Sequence, residues 1–300
     1  MSRLPLLLVA LLAAAGVVGC RAPIARAADN PTTIETIQVD GVTRTYRLHL
    51  PANSVADQPL PLVFDFHGYG GTGFDQEIIS GMSPAADRLG YAVVYPDGID
   101  KHWHYVSTEV DDVAFVNAII DHLAQSANVD ADRVYATGLS DGGFFSIYLG
   151  CLPQTRMAAI APVAASLTGL QALGCAFGPR IPVLMTFGTA DPIVPFTGLT
   201  SFYGERLLSV PESVAAFARH LDLSPTPTVD EWLPDRDPAD GTTVHHTAYG
   251  NGELQLYAIT GGGHTWPGGL QYLPVALVGK TNNDYNASET ILTFFAAHEF

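Results

Sequence analysis

The stretch from Arg133 to Phe145, RVYATGLSDGGFF, constrains the fold more than any other part of the chain. Apolar and β-branched residues lead into Gly138-Leu139-Ser140-Asp141-Gly142, and an apolar helical pattern follows. A strand that turns sharply into a helix through glycines leaves one serine exposed at the top of a sheet. The helix N-terminus beneath it adds partial positive charge. G-x-S-x-G arises often by chance in a glycine-rich chain, so the strand–turn–helix setting is what gives the string its weight.

The neighbouring segments supply that setting. Thr36 to Val39 and Thr43 to Leu50 alternate apolar with polar around Asp40-Gly41, which predicts a hairpin. PLVFDFHG (61–68) and YAVVYPDG (91–98) are short apolar runs ended by turn residues, the pattern of buried parallel strands. Residues 110–125 carry helical spacing with acids in the first turn, and 211–221 and 288–298 also read as helices. Strands are expected at 133–137, 181–191 and 253–264, and an irregular, Pro/Asp/Thr-rich excursion from Leu223 to Gly250. Strands alternating with helices after an antiparallel start predict an α/β fold, a mostly parallel doubly wound sheet with an antiparallel N-terminal edge. Ligands of such sheets sit at the carboxyl ends of the strands.

With 300 residues and 47% hydrophobic content, the chain can bury one large α/β core. A net charge of −16 with only 14 basic residues argues against a nucleic-acid partner. Arg3 and the apolar run from Leu4 to Gly19 predict a signal peptide over residues 1–19, which leaves 30–300 as one catalytic domain. Val17-Val18-Gly19-Cys20 resembles a lipobox, in which Cys20 is lipidated and the membrane is reached only through that anchor. The rival is cleavage after Ala25-Arg26-Ala27 and free secretion. Export makes a disulfide between Cys151 and Cys175 the default, with two free buried thiols the alternative.

A serine hydroxyl needs a histidine to take its proton and an acid to orient that histidine. Among ten histidines, His264 in GGGHTWPGG follows a predicted strand and is flanked by glycines. Asp191 ends a strand in FGTAD and lies between Ser140 and His264, satisfying the order serine, acid, histidine. The oxyanion needs two backbone N–H donors. Asp141 follows the serine, and HGYGG (67–71) ends the first buried strand, with Tyr69 or its neighbour Gly68 as the second donor. His67 reads as a structural residue of that turn. His102 and His104 flank Trp103 without a third metal ligand, so no metal is expected.

HGYGGTG, GYAVVYPDG, Trp103, VDDVAFVNAIIDHL, RVYATGLSDGGFF, AAIAPVAAS, PVLMTFGTADPIVPFTG and GGGHTWPGG span nearly the whole mature chain. Together they resemble the polyhydroxybutyrate depolymerase and feruloyl esterase family of α/β-hydrolases. The resemblance implies an α/β-hydrolase fold, serine esterase activity and no cofactor, with Ser140 as nucleophile, Asp191 as acid and His264 as base. The implied partner is an ester that could be polymeric, a plant cell-wall ester or a polyhydroxyalkanoate. Trp103, Trp266 and Tyr69 are candidates to line the acyl pocket.

Two residues depart from the family pattern. Asp65 sits inside the strand LVFDFHG, where a buried carboxylate needs a partner that the sequence does not name. Asp141 is acidic, so its carboxylate must turn away from the oxyanion. A serine peptidase on the same fold and a non-catalytic, ligand-binding surface lipoprotein remain competing readings. The segments between Ser140, Asp191 and His264 look too short and polar for a lid, which predicts an open cleft suited to short acyl esters.

Overall fold

The computed structural model describes residues 32–298 except 53, 55–57, 105–109, 177 and 203. The hydrophobic leader, Cys20 and the Ala25-Arg26-Ala27 site lie outside the described residues. Strands β1 (Thr33–Val39) and β2 (Val42–His49) form the expected hairpin. Asp40 and Gly41 both adopt positive φ, 50° and 81°, the turn that matches the twist of two antiparallel strands.

Ten strands form one sheet in the order β1-β2-β4-β3-β5-β6-β7-β12-β11-β10. Its middle is parallel: β4 (Ala92–Pro96), β3 (Leu60–Phe66), β5 (Val129–Leu139), β6 (Ala159–Val163), β7 (Val183–Gly188) and β12 (Leu254–Thr260). These strands are buried on both faces, so they read as continuous apolar runs. On β3, Leu62, Phe64 and Phe66 face one core while Val63 faces the other. Helices α3 (Asp112–Ser126), α4 (Asp141–Cys151) and α6 (Val210–His220) contribute Phe115, Phe145 and Phe217 to the first core. Helices α2 (Met82–Leu89) and α8 (Ala287–Ala296) contribute Met82, Ile291 and Phe295 to the second. Among the described residues the other α-helices are α1 (Gly73–Ser80), α5 (Gly169–Cys175) and α7 (Val275–Val278).

The structure has a second antiparallel edge that the sequence reading did not contain. Within the supposed excursion, β10 (Val229–Trp232) and β11 (Thr243–Tyr249) pair antiparallel and join β12. Alternation on β11 buries Val244, His246 and Ala248. A histidine in the inward row disguises that period. His246 is accommodated by stacking on Tyr257, with ring centroids 4.3 Å apart. A separate two-stranded ribbon, β8 (Leu199–Phe202) with β9 (Glu205–Leu207), follows β7.

Cys151 and Cys175 form a disulfide across 24 residues, tying the end of α4 to the end of α5. Closing a loop of that length stabilises a fold by about 3 kcal/mol. A thiol assay on denatured, unreduced protein recovered from an oxidising compartment should find neither cysteine. Recovery of both thiols would remove the bridge, and with it one support for export.

Candidate active site

Ser140, Asp191 and His264 follow β5, β7 and β12 respectively, at the carboxyl ends of parallel strands in one sheet. Ser140 occupies the turn between β5 and α4 with φ 58° and ψ −117°, a conformation rarely tolerated by a residue with a side chain. Three features hold it there. The Ser140 N–H donates to Val163 O at 2.9 Å, and the Phe144 N–H donates to Ser140 O at 2.9 Å. Gly142 lets α4 start against β3, since a Cβ there would stand 2.1 Å from Phe66 O.

The histidine loop is joined to the acid loop. The Ala190 N–H donates to Gly262 O at 2.9 Å, and the Gly261 N–H donates to Thr189 Oγ1 at 3.0 Å. Gly188 makes this approach possible, because a Cβ there would meet Gly263 O at 2.3 Å. His264 Nδ1 lies 2.6 Å from Asp191 Oδ2, and both side chains are buried. The other carboxylate oxygen, Oδ1, accepts the N–H groups of Ile193 and Val194 at 2.8 and 2.9 Å. An acceptor-only carboxylate places the imidazole proton on Nδ1 and leaves Nε2 able to accept one. Tyr272 donates its hydroxyl to His264 O at 3.0 Å, a brace that no motif in the sequence announced.

The loop after β3 runs beside the serine. A Cβ on Gly68 would lie 3.5 Å from Ser140 Cβ. His67 orients this loop with both ring nitrogens. Nε2 accepts the Gly98 N–H at 3.0 Å, so Nδ1 carries the proton it donates to Gly68 O at 2.8 Å. Burial lowers the His67 pKa, which keeps the ring neutral for this role. Gly68 O also accepts from the Gly71 N–H at 3.0 Å. In a trans peptide the C=O and the following N–H point in opposite directions. Anchoring Gly68 O therefore sets the direction of the Tyr69 N–H.

Asp141 turns its carboxylate to the neighbouring chain, where Oδ2 accepts the Trp103 N–H at 3.0 Å. Burial pushes this carboxyl up to about 6, opposed by the Trp103 bond and by the nearby His102. Asp65, without an evident partner in the sequence, accepts from Gln76 Nε2 at 2.7 Å.

The two tryptophans do not line a pocket. Trp103 is 3% exposed, stacked on Phe145 at 5.1 Å and bonded through Nε1 to His67 O at 2.8 Å. It is a scaffold beneath the loop of Tyr69. Trp266 is fully buried and donates Nε1–H to Ser288 Oγ at 3.0 Å. Both are correctly core residues, since an indole buried with its N–H satisfied has no need of a ligand. Among the described residues no group of three or more His, Cys, Asp or Glu is placed to hold a metal.

No family model matches the chain. It is 34% identical over 288 residues to a protein named as esterase NocK from Nocardia uniformis subsp. tsuyamanensis, covering 89% of this chain and 83% of that one. It is 28% identical to feruloyl esterase D of Neurospora crassa, covering 64% and 70%. Among solved structures it resembles an acetyl xylan esterase from Aspergillus awamori, with TM-score 0.59, 17% identity and coverage of 78% and 94%. A thermostable esterase superposes with TM-score 0.53, 17% identity and coverage of 90% and 63%. At those identities the superpositions bear on the fold, which is that of the α/β-hydrolases.

Proposed function

The chain belongs to the feruloyl esterase-like family of α/β-hydrolases and is a carboxylic ester hydrolase, and from that premise we propose a serine mechanism through an acyl-enzyme. Ser140 Oγ attacks the ester carbonyl while His264 Nε2 takes its proton. Asp191 holds the Nδ1 proton and stabilises the imidazolium that results. The oxyanion accepts the N–H groups of Tyr69 and Asp141. His264 returns the proton to the departing alkoxide. Water, deprotonated by the same nitrogen, then attacks the acyl-enzyme and regenerates Ser140.

The observation that carries this reading is the buried 2.6 Å contact between His264 and Asp191, at strand ends shared with a serine in a positive-φ turn. The substrates proposed for the enzyme are short acyl, hydroxycinnamoyl or hydroxyalkanoate esters, met outside the cell. In the segment that follows His264, where Val278 O accepts the His264 N–H, Leu270, Val275 and Leu277 are 49%, 50% and 50% exposed and offer an apolar surface. A long chain lying on such a surface forgoes part of the ~0.8 kcal/mol per methylene that full burial would provide.

The test is kcat/KM over acyl lengths from two to sixteen carbons, with methyl ferulate and a peptide anilide alongside, with and without emulsion. Short acyl and aryl esters should be preferred, without activation by emulsion. Efficiency rising to long chains would make the protein a lipase. Faster turnover of the anilide would favour the peptidase reading.

A further inference from the structure

The burial of Trp103 decides where its neighbours go. His102 has extended backbone, with φ −153° and ψ 173°, so successive side chains alternate in direction. Trp103 points into the core, and His102 and His104 share the other side. Their rings lie 3.9 Å apart, and His102 lies 5.8 Å from the Tyr69 ring. Tyr69, His102 and His104 therefore form a continuous aromatic ladder.

The inner end of the ladder is fixed. Asp112 Oδ2 accepts the His104 N–H at 2.6 Å and lies 3.4 Å from His104 Nδ1, while its Oδ1 is held by Arg44. The outer end is open, with Tyr69 55% exposed. Two observations place that end beside the reacting centre. Tyr69 directly follows Gly68, which packs on the Ser140 turn, and the Trp103 N–H, next in the chain to His102, donates to Oδ2 of Asp141, the residue after the serine, at 3.0 Å. The Gly70 N–H donates to Lys101 O at 2.7 Å, binding the two loops that carry the rings into one unit. The exposed face of Tyr69, continued by two imidazoles, offers a planar group a partner in offset stacking, the geometry such rings favour.

We propose that Tyr69 and His102, backed by His104, form a specificity wall on which a planar aromatic group of the ester stacks as its carbonyl meets Ser140. This rests on the ester-hydrolase mechanism above. The aromatic group could belong to the acyl part or to the alcohol, and the test separates the two. His102→Leu keeps bulk and removes the π face, and His102→Phe restores it. For each protein kcat/KM is measured on methyl cinnamate against methyl butyrate, and on phenyl acetate against ethyl acetate.

In His102→Leu the aryl-to-alkyl ratio should fall by about fivefold to tenfold in one of the two pairs, and His102→Phe should recover it. The affected pair identifies the side of the ester that carries the ring. A ratio unmoved in both pairs overturns the wall while leaving the mechanism standing. So does an equal fall on all four esters without recovery in His102→Phe, which would mark His102 as a support of the loop. Wild-type protein inactive on all four esters overturns the mechanism itself.

Discussion

Ser140→Ala should lose about a millionfold in kcat on every ester the wild type hydrolyses, with the melting temperature little changed. The size of the loss follows from the geometry. Ser140 is the residue held at φ 58° at the start of α4, and in the proposed mechanism it alone supplies the attacking oxygen, with His264 and Asp191 serving only to move its proton. Alanine keeps the Cβ and the backbone bonds of the turn, the Ser140 N–H to Val163 O and the Phe144 N–H to residue 140 O, so the fold has no cause to relax. What remains should be the contribution of the oxyanion donors and of binding, roughly a thousandfold over water. Asp191→Asn should cost less than His264→Ala, because the base and the donors remain. Steady-state rates with a thermal melt of each variant are the measurement. A Ser140→Ala protein with a tenth of wild-type activity would sink the serine mechanism.

Where the candidate residues stand in the fold was largely legible in the sequence because that logic is local. A glycine-bounded serine between a β run and a helical run, and an aspartate and a histidine each just past an apolar run, carry their own positions. The parallel strands then bring distant residues to one end of the sheet. What the sequence could not carry was the direction of a side chain on irregular backbone. Trp103 looked like a ligand contact because tryptophan is large and lay near a motif. Only the packing of Phe66 and Phe145 against it shows that it faces inward. The β10–β11 edge was hidden for a related reason. Its inward row includes His246, whose partners Gln255 and Tyr257 are on another strand. Asp65 was legible as an anomaly, yet Gln76 lies on a helix whose facing side depends on the fold.

Asp65→Asn should stabilise the protein at pH 8 by on the order of 3–4 kcal/mol and do almost nothing at pH 4. Asp65 is fully buried on β3, and burial pushes its carboxyl from 3.8 up to about 7. Around it stand Gln76, Glu77 and Ser80 of α1 and the buried Tyr95 of β4. Ser80 and Gln76 favour the charged form and Glu77 opposes it, but desolvation dominates. The unpaired atoms point to the neutral acid. Gln76 Nε2 donates to Asp65 Oδ1, while Asp65 Oδ2 and Gln76 Oε1 are both buried without a partner among the described residues. A proton on Oδ2 would let it donate to Oε1 and close a two-bond acid–amide pair.

The sign follows from proton binding. Between pH 3.8 and about 7 the folded carboxyl holds a proton that the unfolded one has released. Stability therefore falls as pH rises through that window and levels off above it. Asparagine supplies the same pair permanently, its Nδ2 donating to Gln76 Oε1 and its Oδ1 accepting from Nε2, with no charge to desolvate. In a domain of this size the gain corresponds to a rise in Tm of about 5–10 °C at pH 8. Asp141, also raised to about 6, tilts the wild-type curve in the same direction, so the diagnostic quantity is the difference between variant and wild type at each pH. Thermal melts from pH 4 to 8 measure it. A difference that stays flat with pH, or an Asn variant less stable at pH 8, would mean that Asp65 is ionised in the fold and held by a partner.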